Sequence, residues 1–431
     1  MKQTFFAILI FFLSLAVFCP QSVAGGVDNL QNFSARYLAT GSRNAATDGV
    51  DIAAYNPAGI MRQQDGFAIG GDVQYIAKTY EQTYTTALTS QKETNDQDEP
   101  SIIPALFATY KKDNFGVFGS VTINGGGGAV NYENGNVATN LIEGMLANDY
   151  NYGANALLSN EWIEAESYYV AYTLGGSYAV NDLFSVAAGI RFLDATTELE
   201  AYADTAGLGD LTGAYEGTGN GWGFVASMNY APTDDLLLTA RYESKIKLKF
   251  ETDIDESKTN TLGTSVLSGL GKTEGSKSNR DLPAVLGLGM GWDVTDKLNL
   301  NTSFNYYFED DADWEGLEAD TTGSWDLGVS GTYRIQNNVR VSLGYVYTDI
   351  GYDPDDYYDA TGGANDLTSM LSPSLDAHTL LGGVSYDLYD QFTVNLGLSA
   401  TFYEKDGTIG STTAEYDKEA TALALGVEHR F

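Results

Sequence analysis

Apolar and polar positions alternate along most of the chain after its first 65 residues. Residues two apart share a face of a β-strand, so this alternation predicts strands with one apolar and one polar face. Residues 282–294 are the clearest case, because Leu288, Met290 and Trp292 fall on one face and a row of glycines on the other. Fourteen such segments follow one another and end at Phe431.

The predicted strands are separated by connectors that are alternately short and long. The short connectors contain residues that favour turns, such as Asn181-Asp182, Thr295-Asp296 and Tyr389-Asp390. The predicted strands span residues 66–78, 101–112, 114–124, 163–180, 183–202, 216–231, 236–252, 281–294, 297–310, 322–335, 339–349, 376–388, 391–405 and 416–431.

This organisation predicts an all-β protein, a transmembrane antiparallel β-barrel of about 14 strands. A sheet that spans lipid cannot leave an edge unpaired, so it must close on itself. Short turns of such barrels face the periplasm, and the long connectors, including 125–162, 253–280 and 350–375, then face the outside. We therefore expect residues 66–431 to form a barrel in the bacterial outer membrane.

The first 24 residues predict export. Lys2 precedes an apolar run from Phe5 to Phe18, and Ser22-Val23-Ala24 is a small-residue cleavage signature, so residues 1–24 are interpreted as a signal peptide. Cys19 follows Phe18, where a lipoprotein signal requires a small residue, so we expect no lipid attachment.

Residues 25–65 do not show strand alternation, yet they are rich in apolar side chains and end in a sharp turn at Asn56-Pro57-Ala58-Gly59. We interpret them as an N-terminal hatch that plugs the lumen, since a segment joined to the first strand can enter the pore without crossing lipid. A small periplasmic extension is the alternative.

Composition supports a barrel wall, with 48 Gly, 29 Tyr and 19 Phe and a formal net charge of −35. This charge argues against nucleic acid as a partner. Acidic residues cluster in connectors, as in Asp96–Glu99 and Glu309–Asp313, which indicates solvated loops. Binding of divalent cations within the loops, or between them and anionic lipid headgroups, is the alternative.

Basic side chains in the predicted lumen are candidates for binding an anionic ligand. Arg241, Lys245, Lys247 and Lys249 share one face of strand 236–252, and a charge facing lipid would cost roughly 2–4 kcal/mol. The same argument turns Arg191, Arg334 and Arg340 inward. The structural alternative is that these cations pair with lumenal acids such as Glu243, Asp293 or Asp326.

The sequence gives no support for catalysis, a metal or a cofactor. His378 and His429 are its 2 histidines, and no Gly-x-Ser-x-Gly turn or cysteine and histidine cluster accompanies them. The glycine run Gly125–Gly128 lacks the Lys-Ser/Thr pair of a phosphate-binding loop.

Four features together resemble one known family. They are the strand count with terminal Phe431, the Leu282-Pro283-Ala284 strand start, the segment Arg241–Lys247, and the N-terminal stretch from Ala39-Thr40-Gly41-Ser42 to Asn56-Pro57-Ala58. The chain resembles the outer-membrane long-chain fatty-acid transporter (FadL/TodX) family over nearly all of its predicted mature length. Asn56, Pro57 and Ala58 are similar to that family's hatch motif.

The resemblance implies that a hydrophobic solute is captured by external loops, enters the lumen and leaves through a gap where an inward kink breaks strand pairing. Gly125, Gly126, Gly127 and Gly128 are the candidate kink; an ordinary flexible loop is the alternative. Leu141 and Ile142 belong to an apolar patch that we expect to form a short helix and, if exposed, to collect acyl chains.

The expected function is therefore diffusion of long-chain fatty acids or similar hydrophobic compounds through a plugged barrel with a lateral exit. Uptake of aromatic hydrocarbons is the main alternative, and a porin for polar solutes or an adhesive barrel is less well supported by a plugged lumen. Expected partners are the hydrophobic solute, outer-membrane lipid and the barrel-assembly machinery, with the protein as a monomer.

Overall fold

The alternating segments form one closed antiparallel sheet in the computed structural model of the chain. The structure describes residues 31–86, 88–126, 128–316, 318, 322–351, 371, 374–389, 391–404 and 414–431. The predicted signal peptide, Gly127 and Asp390 lie outside these residues.

The sheet contains eighteen strands in the described part of the chain. They are β1 (Gly66–Thr85), β2 (Lys92–Gln97), β3 (Ser101–Lys112), β4 (Phe115–Ile123), β5 (Val130–Tyr132), β6 (Leu158–Ala179), β7 (Phe184–Thr205), β8 (Gly209–Thr233), β9 (Leu236–Glu243), β10 (Lys249–Ile254), β11 (Lys277–Asn279), β12 (Ala284–Thr295), β13 (Leu298–Phe308), β14 (Trp325–Gln336), β15 (Val339–Asp349), β16 (Ala377–Tyr389), β17 (Phe392–Tyr403) and β18 (Ala414–Arg430).

These strands make a wall of fourteen, as predicted, because β2 with β3, β4 with β5, β9 with β10 and β11 with β12 are each one wall strand with a break. Each wall strand is antiparallel to its neighbours, and β1 pairs with β18 from Ala68 opposite Arg430 to Tyr84 opposite Ala414. This last pairing closes the barrel.

The two ends of the barrel differ in their connectors. At the short-turn end only a few residues join neighbouring strands, as between β6 and β7 or between β12 and β13. The chain also ends there, where the amide of Phe431 donates to the carbonyl of Phe67 (2.8 Å). The opposite, long-loop end carries the predicted connectors 125–162 and 253–280, whereas most of the predicted connector 350–375 lies outside the described residues.

The two faces of the wall follow the predicted alternation. On β12, Leu288, Met290 and Trp292 are 41–43% exposed on the outside, whereas Gly289 faces the lumen. Similar exposed apolar side chains occur on the outward faces of strands around the ring and form a surface suited to lipid. Among the described helices, none is long and apolar enough to span a membrane.

Residues 31–62, called the hatch here, precede β1 and lie inside the ring. The hatch contains helix α1 (Ala35–Thr40), helix α2 (Ile52–Tyr55) and a 3-10 helix (Pro57–Arg62). Ser34 caps α1 by accepting from the Tyr37 amide (3.0 Å), and Gly41 ends the helix with a φ of 63°. Contacts of these helices with strands on several sides place the hatch in the lumen.

Two further helices, α3 (Val137–Asn148) and α4 (Thr261–Gly269), lie in the connectors at the long-loop end. Their apolar residues join inward-facing tyrosines of β1, β5 and β18 in a buried cluster, called the cap here. Ile142 and Leu146 of α3 are buried in this cluster, and Leu141 packs against it. The patch is therefore helical as predicted, but Ile142 is part of a packed interior and not of an exposed collecting surface.

Candidate functional site

The Asn-Pro-Ala motif shapes the hatch and fixes it to the wall. Asn56 is buried and its amide donates to the carbonyl of Ala46 (2.9 Å), which holds two turns of the hatch together. Pro57 then begins the 3-10 helix, where a proline loses no hydrogen bond.

Three serine hydroxyls of the wall complete this attachment. Ser177 of β6 donates to the carbonyl of Pro57 (2.7 Å), and Ser185 of β7 donates to that of Ala58 (2.9 Å). The amide of Ala58 donates to Ser227 of β8 (2.9 Å). The motif is thus joined to three adjacent wall strands through its backbone groups.

On the other side of the lumen, a row of glycines lets the hatch backbone approach the wall. A Cβ at Gly344 would lie 2.6 Å from the carbonyl carbon of Thr40, and one at Gly289 would lie 2.7 Å from the amide nitrogen of Ala45. Such contacts are too short for any side chain. This glycine belt, one residue on each of five strands, consists of Gly289, Gly328, Gly344, Gly383 and Gly397.

Ion pairs also hold the hatch. Arg36 contacts Glu428 of β18 and Asp48, and Arg43 binds Asp51 (2.6 Å) and Asp48 (3.0 Å). Burial opposes ionisation of Asp48, but the charges of Arg36 and then Arg43 hold its pKa below the usual range. This network borders a cavity of about 260 Å³ between the hatch and β12–β16.

Arg191 and Arg241, two predicted ligand contacts, face the lumen as expected and take part in hatch and wall contacts. Both lie against Glu243, with Arg241 Nε 3.2 Å from its carboxylate. Arg241 also donates to the carbonyl of Ala54 in the hatch (2.7 Å). The structural alternative, pairing with a lumenal acid, therefore describes these two side chains, and ligand contact remains a prediction for them.

The predicted orientation of Lys247 and Lys249 is wrong. Both are exposed on the outside, whereas Ile246, Leu248 and Phe250 are buried inside. The cause is a break between β9 and β10. Relative to β8 it adds one residue, because Glu243 opposes Val225 but Glu251 opposes Thr218. A one-residue slip moves every following side chain to the other face.

Lys245 lies within this break and is partly exposed. Its ammonium lies 3.6 Å from the Asp281 carboxylate and contacts the carbonyl of Asp311, at the long-loop end. The structure therefore does not bring Arg191, Arg241, Lys245 and Lys247 together into one basic site.

A second break, at the predicted kink, opens the pairing of the wall. Pairing of β3 with β4 ends at Leu106 opposite Val121, so residues 101–105 of β3 pair with β1 alone. The chain after β4 stays bound to β6, since the Asn124 amide donates to the carbonyl of Tyr169 (2.8 Å). The described part of the wall thus has an unpaired stretch between β3 and β4, and Pro104 lies in its edge as expected for a strand edge.

The glycines of the predicted kink carry this change of direction. Gly126 and Gly128 have φ values of 70° and 104°, in a region that other residues rarely adopt. A Cβ at Gly128 would lie 2.9 Å from Cβ of Ser101 and would overlap the ammonium of Lys78. Because Lys78 and Ser101 face the lumen, the chain at Gly128 lies inside the wall.

Two buried lumenal lysines beside this break, Lys78 and Lys418, were not among the predicted ligand-binding residues. Lys78 of β1 donates to the carbonyl of Ala129 (3.1 Å), just after the glycine run. Lys418 of β18 lies over the rings of Tyr80 (4.8 Å) and Tyr403 (4.6 Å). Tyr80 opposes Lys418 in the β1–β18 ladder, so the two lysines are diagonal neighbours on the inner face. Each lysine shares a strand face with inward-facing glutamines or tyrosines of β1 or β18. This alternation in the sequence was the signal that could have identified both lysines as lumenal.

Neither histidine joins this lumenal site. His378 is partly exposed and contacts the hydroxyl of Tyr345 (2.6 Å) and the carboxylate of Glu404 (3.3 Å). His429, at the short-turn end, contacts the carbonyl of Gln391 (2.8 Å).

The sequence and the fold were compared with known proteins. A model of the outer membrane protein transport protein family (OMPP1/FadL/TodX) matches residues 15–431. No curated protein matches the sequence.

Solved structures give the same fold at low sequence identity. A Pseudomonas aeruginosa FadL homologue is 14% identical with a TM-score of 0.66, and the match covers 96% of this chain and 100% of that one. The Pseudomonas putida toluene transporter TodX is 12% identical with a TM-score of 0.66, covering 93% and 99%. The Ralstonia pickettii toluene transporter TbuX is 14% identical with a TM-score of 0.61, covering 94% and 99%.

Proposed function

Because the chain belongs to the outer membrane transport protein family that includes FadL and TodX, we propose that it transfers long-chain carboxylic acids from the cell exterior into the outer membrane. The observation that carries the proposal is the pair of buried lysines, Lys78 and Lys418, at the inner side of the break between β3 and β4.

Each part of such an amphiphile has a matching environment. The two ammonium groups suit a carboxylate, and a charge-assisted hydrogen bond contributes roughly 1.5–3 kcal/mol. The acyl chain suits the apolar cap above them, which includes Val130, Tyr132 and Ile142. Movement of the acid past residues 101–105 would deliver it to lipid without passage through the hatch.

The position of the hatch favours a lateral route through the wall and argues against an aqueous channel through the lumen. Its backbone lies against the glycine belt on one side and is hydrogen-bonded to Ser177, Ser185 and Ser227 on the other. A porin needs a wide open interior. Because the hatch is attached to the wall on both sides of the lumen, exit of the solute through the wall is favoured.

Aromatic hydrocarbons are the second candidate substrate. Rings lie close to the break, with Tyr169 and Phe250 5.8 Å apart and Tyr80 beside both lysines. Two of the similar structures are named toluene transporters. A neutral hydrocarbon has no carboxylate that could bind the ammonium groups, so substitution of the lysines distinguishes the two candidate substrates.

We test the proposal by uptake of labelled oleate into cells that lack their own transporter, at matched surface levels of each variant. Lys78→Met and Lys418→Met should each slow uptake about tenfold, equivalent to about 1.4 kcal/mol. Lys277→Met is the matched control, because Lys277 is exposed and pairs with Glu251 on the outer surface.

Uptake of toluene should stay normal in both lumenal variants. Unchanged oleate uptake in folded Lys78→Met and Lys418→Met barrels would contradict the carboxylate site. Restored toluene uptake without any oleate uptake would support the second candidate.

We further expect a monomer without enzymatic activity. Its last strand ends in Phe431, whose ring packs 5.6 Å from that of Phe67 at the short-turn end, which suits recognition by the barrel-assembly machinery. Size-exclusion chromatography with light scattering tests the oligomeric state.

A further inference from the structure

A polar cavity of about 310 Å³ lies at the long-loop end, outside the route proposed above. It is enclosed by the β1–β2 hairpin, helix α3 and the first residues of β6. Oxygen-bearing side chains dominate its lining, and three of them are carboxylates, from Glu93, Glu143 and Glu161.

Glu143 lines this cavity and has one carboxylate oxygen without a hydrogen-bond partner among the described residues. The residue is 6% exposed, and its Oε2 accepts from the amide of Leu158 (2.9 Å). Its Oε1 is inaccessible to solvent and has no hydrogen-bond partner within the part of the chain that the structure describes. A buried carboxylate oxygen without a partner is costly, so a positive ligand would be stabilising there.

Glu161 lies on the same side of helix α3. Its carboxylate accepts from the hydroxyl of Thr139 (2.9 Å), and Thr139 precedes Glu143 by one helical turn. Residues four apart on a helix are neighbours, so the two carboxylates face the same part of the cavity. Glu143 belongs to α3, and the hydrogen bond from Thr139 of α3 holds Glu161 of β6 beside it, so the two carboxylates stay close despite their mutual repulsion.

We propose that this cavity binds a divalent cation, with Ca²⁺ preferred, between the carboxylates of Glu143 and Glu161. Ca²⁺ takes six to eight oxygen ligands in flexible geometry and accepts carboxylates, amide carbonyls and water. Asn134, Asn140 and Thr86 supply neutral oxygens in the same lining. The cation joins α3 to β6, so it fastens the cap over the lumen.

The ligand set predicts modest affinity. Among the described residues, no three or more His, Cys, Asp and Glu side chains are gathered so that they could hold a metal ion. Two carboxylates with neutral oxygens are typical of sites with dissociation constants of about 10⁻⁴–10⁻³ M, as in extracellular modules. Occupancy would then follow the calcium level outside the cell.

Terbium luminescence of the full-length barrel in detergent micelles tests the site. Tb³⁺ replaces Ca²⁺ and is excited through nearby tyrosines, and the ring of Tyr84 lines the cavity. We expect saturable emission that millimolar Ca²⁺ displaces and that falls at least fivefold in Glu143→Gln and Glu161→Gln. The side-chain amide introduced by Glu143→Gln retains an oxygen that can accept from the Leu158 amide, so folding should be preserved.

Two controls separate this site from non-specific charge. Glu164→Gln removes an exposed, outward carboxylate from the same strand, β6, and should leave the emission unchanged. Tyr84→Phe should reduce sensitised emission but leave Ca²⁺ binding by calorimetry intact.

Absence of saturable emission, or equal emission from both Glu→Gln variants and the parent protein, would overturn the proposal. Binding is measured without any transported solute, so this result does not depend on the proposed function.

Discussion

The two halves of the lumen are filled in different ways. In the hatch half, the glycine belt lets the hatch backbone lie directly against the wall, as at Gly344 beside Thr40 and at Gly289 beside Ala45. In the cap half, side chains of the wall and loops fill the space, among them Tyr132, Leu146 and Tyr416. Backbone contacts of this kind have one register, whereas packed side chains can change rotamers. The hatch half is therefore held in one register, whereas the side chains of the cap half can repack.

The break in the wall lies at the border between these halves. β4 runs from the short-turn end beside the hatch, and its pairing with β3 ends at Val121, shortly before the glycine run. A solute that leaves at this level would pass above the hatch.

Gly344→Val should disrupt the hatch half most strongly. Its side chain would overlap the backbone of Thr40, and overpacking costs about 1–3 kcal/mol or more when the neighbour cannot move. We expect most of the heat-modifiable folded species to be lost on gels. Gly331→Val is the control, since Gly331 lies on β14 and a Cβ there would meet a side chain at 3.4 Å. A folded, active Gly344→Val barrel would show that the hatch half is as adaptable as the cap half.

Glu309 predicts a pH dependence for the long-loop end. Burial raises its pKa to about 7, although Ser324 donates to its Oε1 (2.8 Å). The neutral form is therefore favoured in the folded state, and stability present below pH 4.5 should be lost as pH rises through 7, by roughly 2–3 kcal/mol. Urea unfolding at pH 5 and 8 should show a smaller difference in Glu309→Gln, while the exposed neighbour Asp310→Asn keeps the parent's difference.

Gly128→Ala should impair passage without unfolding the barrel. A side chain there requires a strained backbone at a φ of 104° and collides with Ser101. We expect oleate uptake to fall about tenfold at matched surface levels, equivalent to about 1.4 kcal/mol. Gly271→Ala has a similarly positive φ of 73° with no atom within 4 Å, and should transport normally. Normal uptake by Gly128→Ala would remove the break from the route.

Ser177→Ala and Ser185→Ala should each destabilise the hatch by about 1 kcal/mol, because each removes a buried hydrogen bond between the wall and the Asn-Pro-Ala motif. The hydroxyl of Ser120 is buried without a partner in the described structure, so Ser120→Ala is the matched control and should cost less. Equal losses in all three variants, measured by urea unfolding, would show that the hydroxyls do not hold the hatch.

Strand positions were predicted well where alternation is uninterrupted. The bounds of β3 and β15 agree with the predicted 101–112 and 339–349, because one buried face and one lipid face fix the register. Prediction of the faces was wrong after Glu243, where one extra residue reverses them. The alternation of apolar and polar residues shows neither the one-residue slip between β9 and β10 nor the lumenal contact between Lys418 and Tyr80.

Lipid requires a closed sheet, and alternation records which side chains face it, so a closed outer-membrane barrel and a separate N-terminal segment follow from the sequence alone. The glycine run is also visible in the sequence, and Gly126 and Gly128 have backbone angles that other residues rarely adopt. Only the tertiary structure decided which cations meet in the lumen, which acids neutralise Arg191 and Arg241, and that the belt glycines face the hatch. Those outcomes depend on pairings between strands that are distant in the chain, and local periodicity carries no information about them.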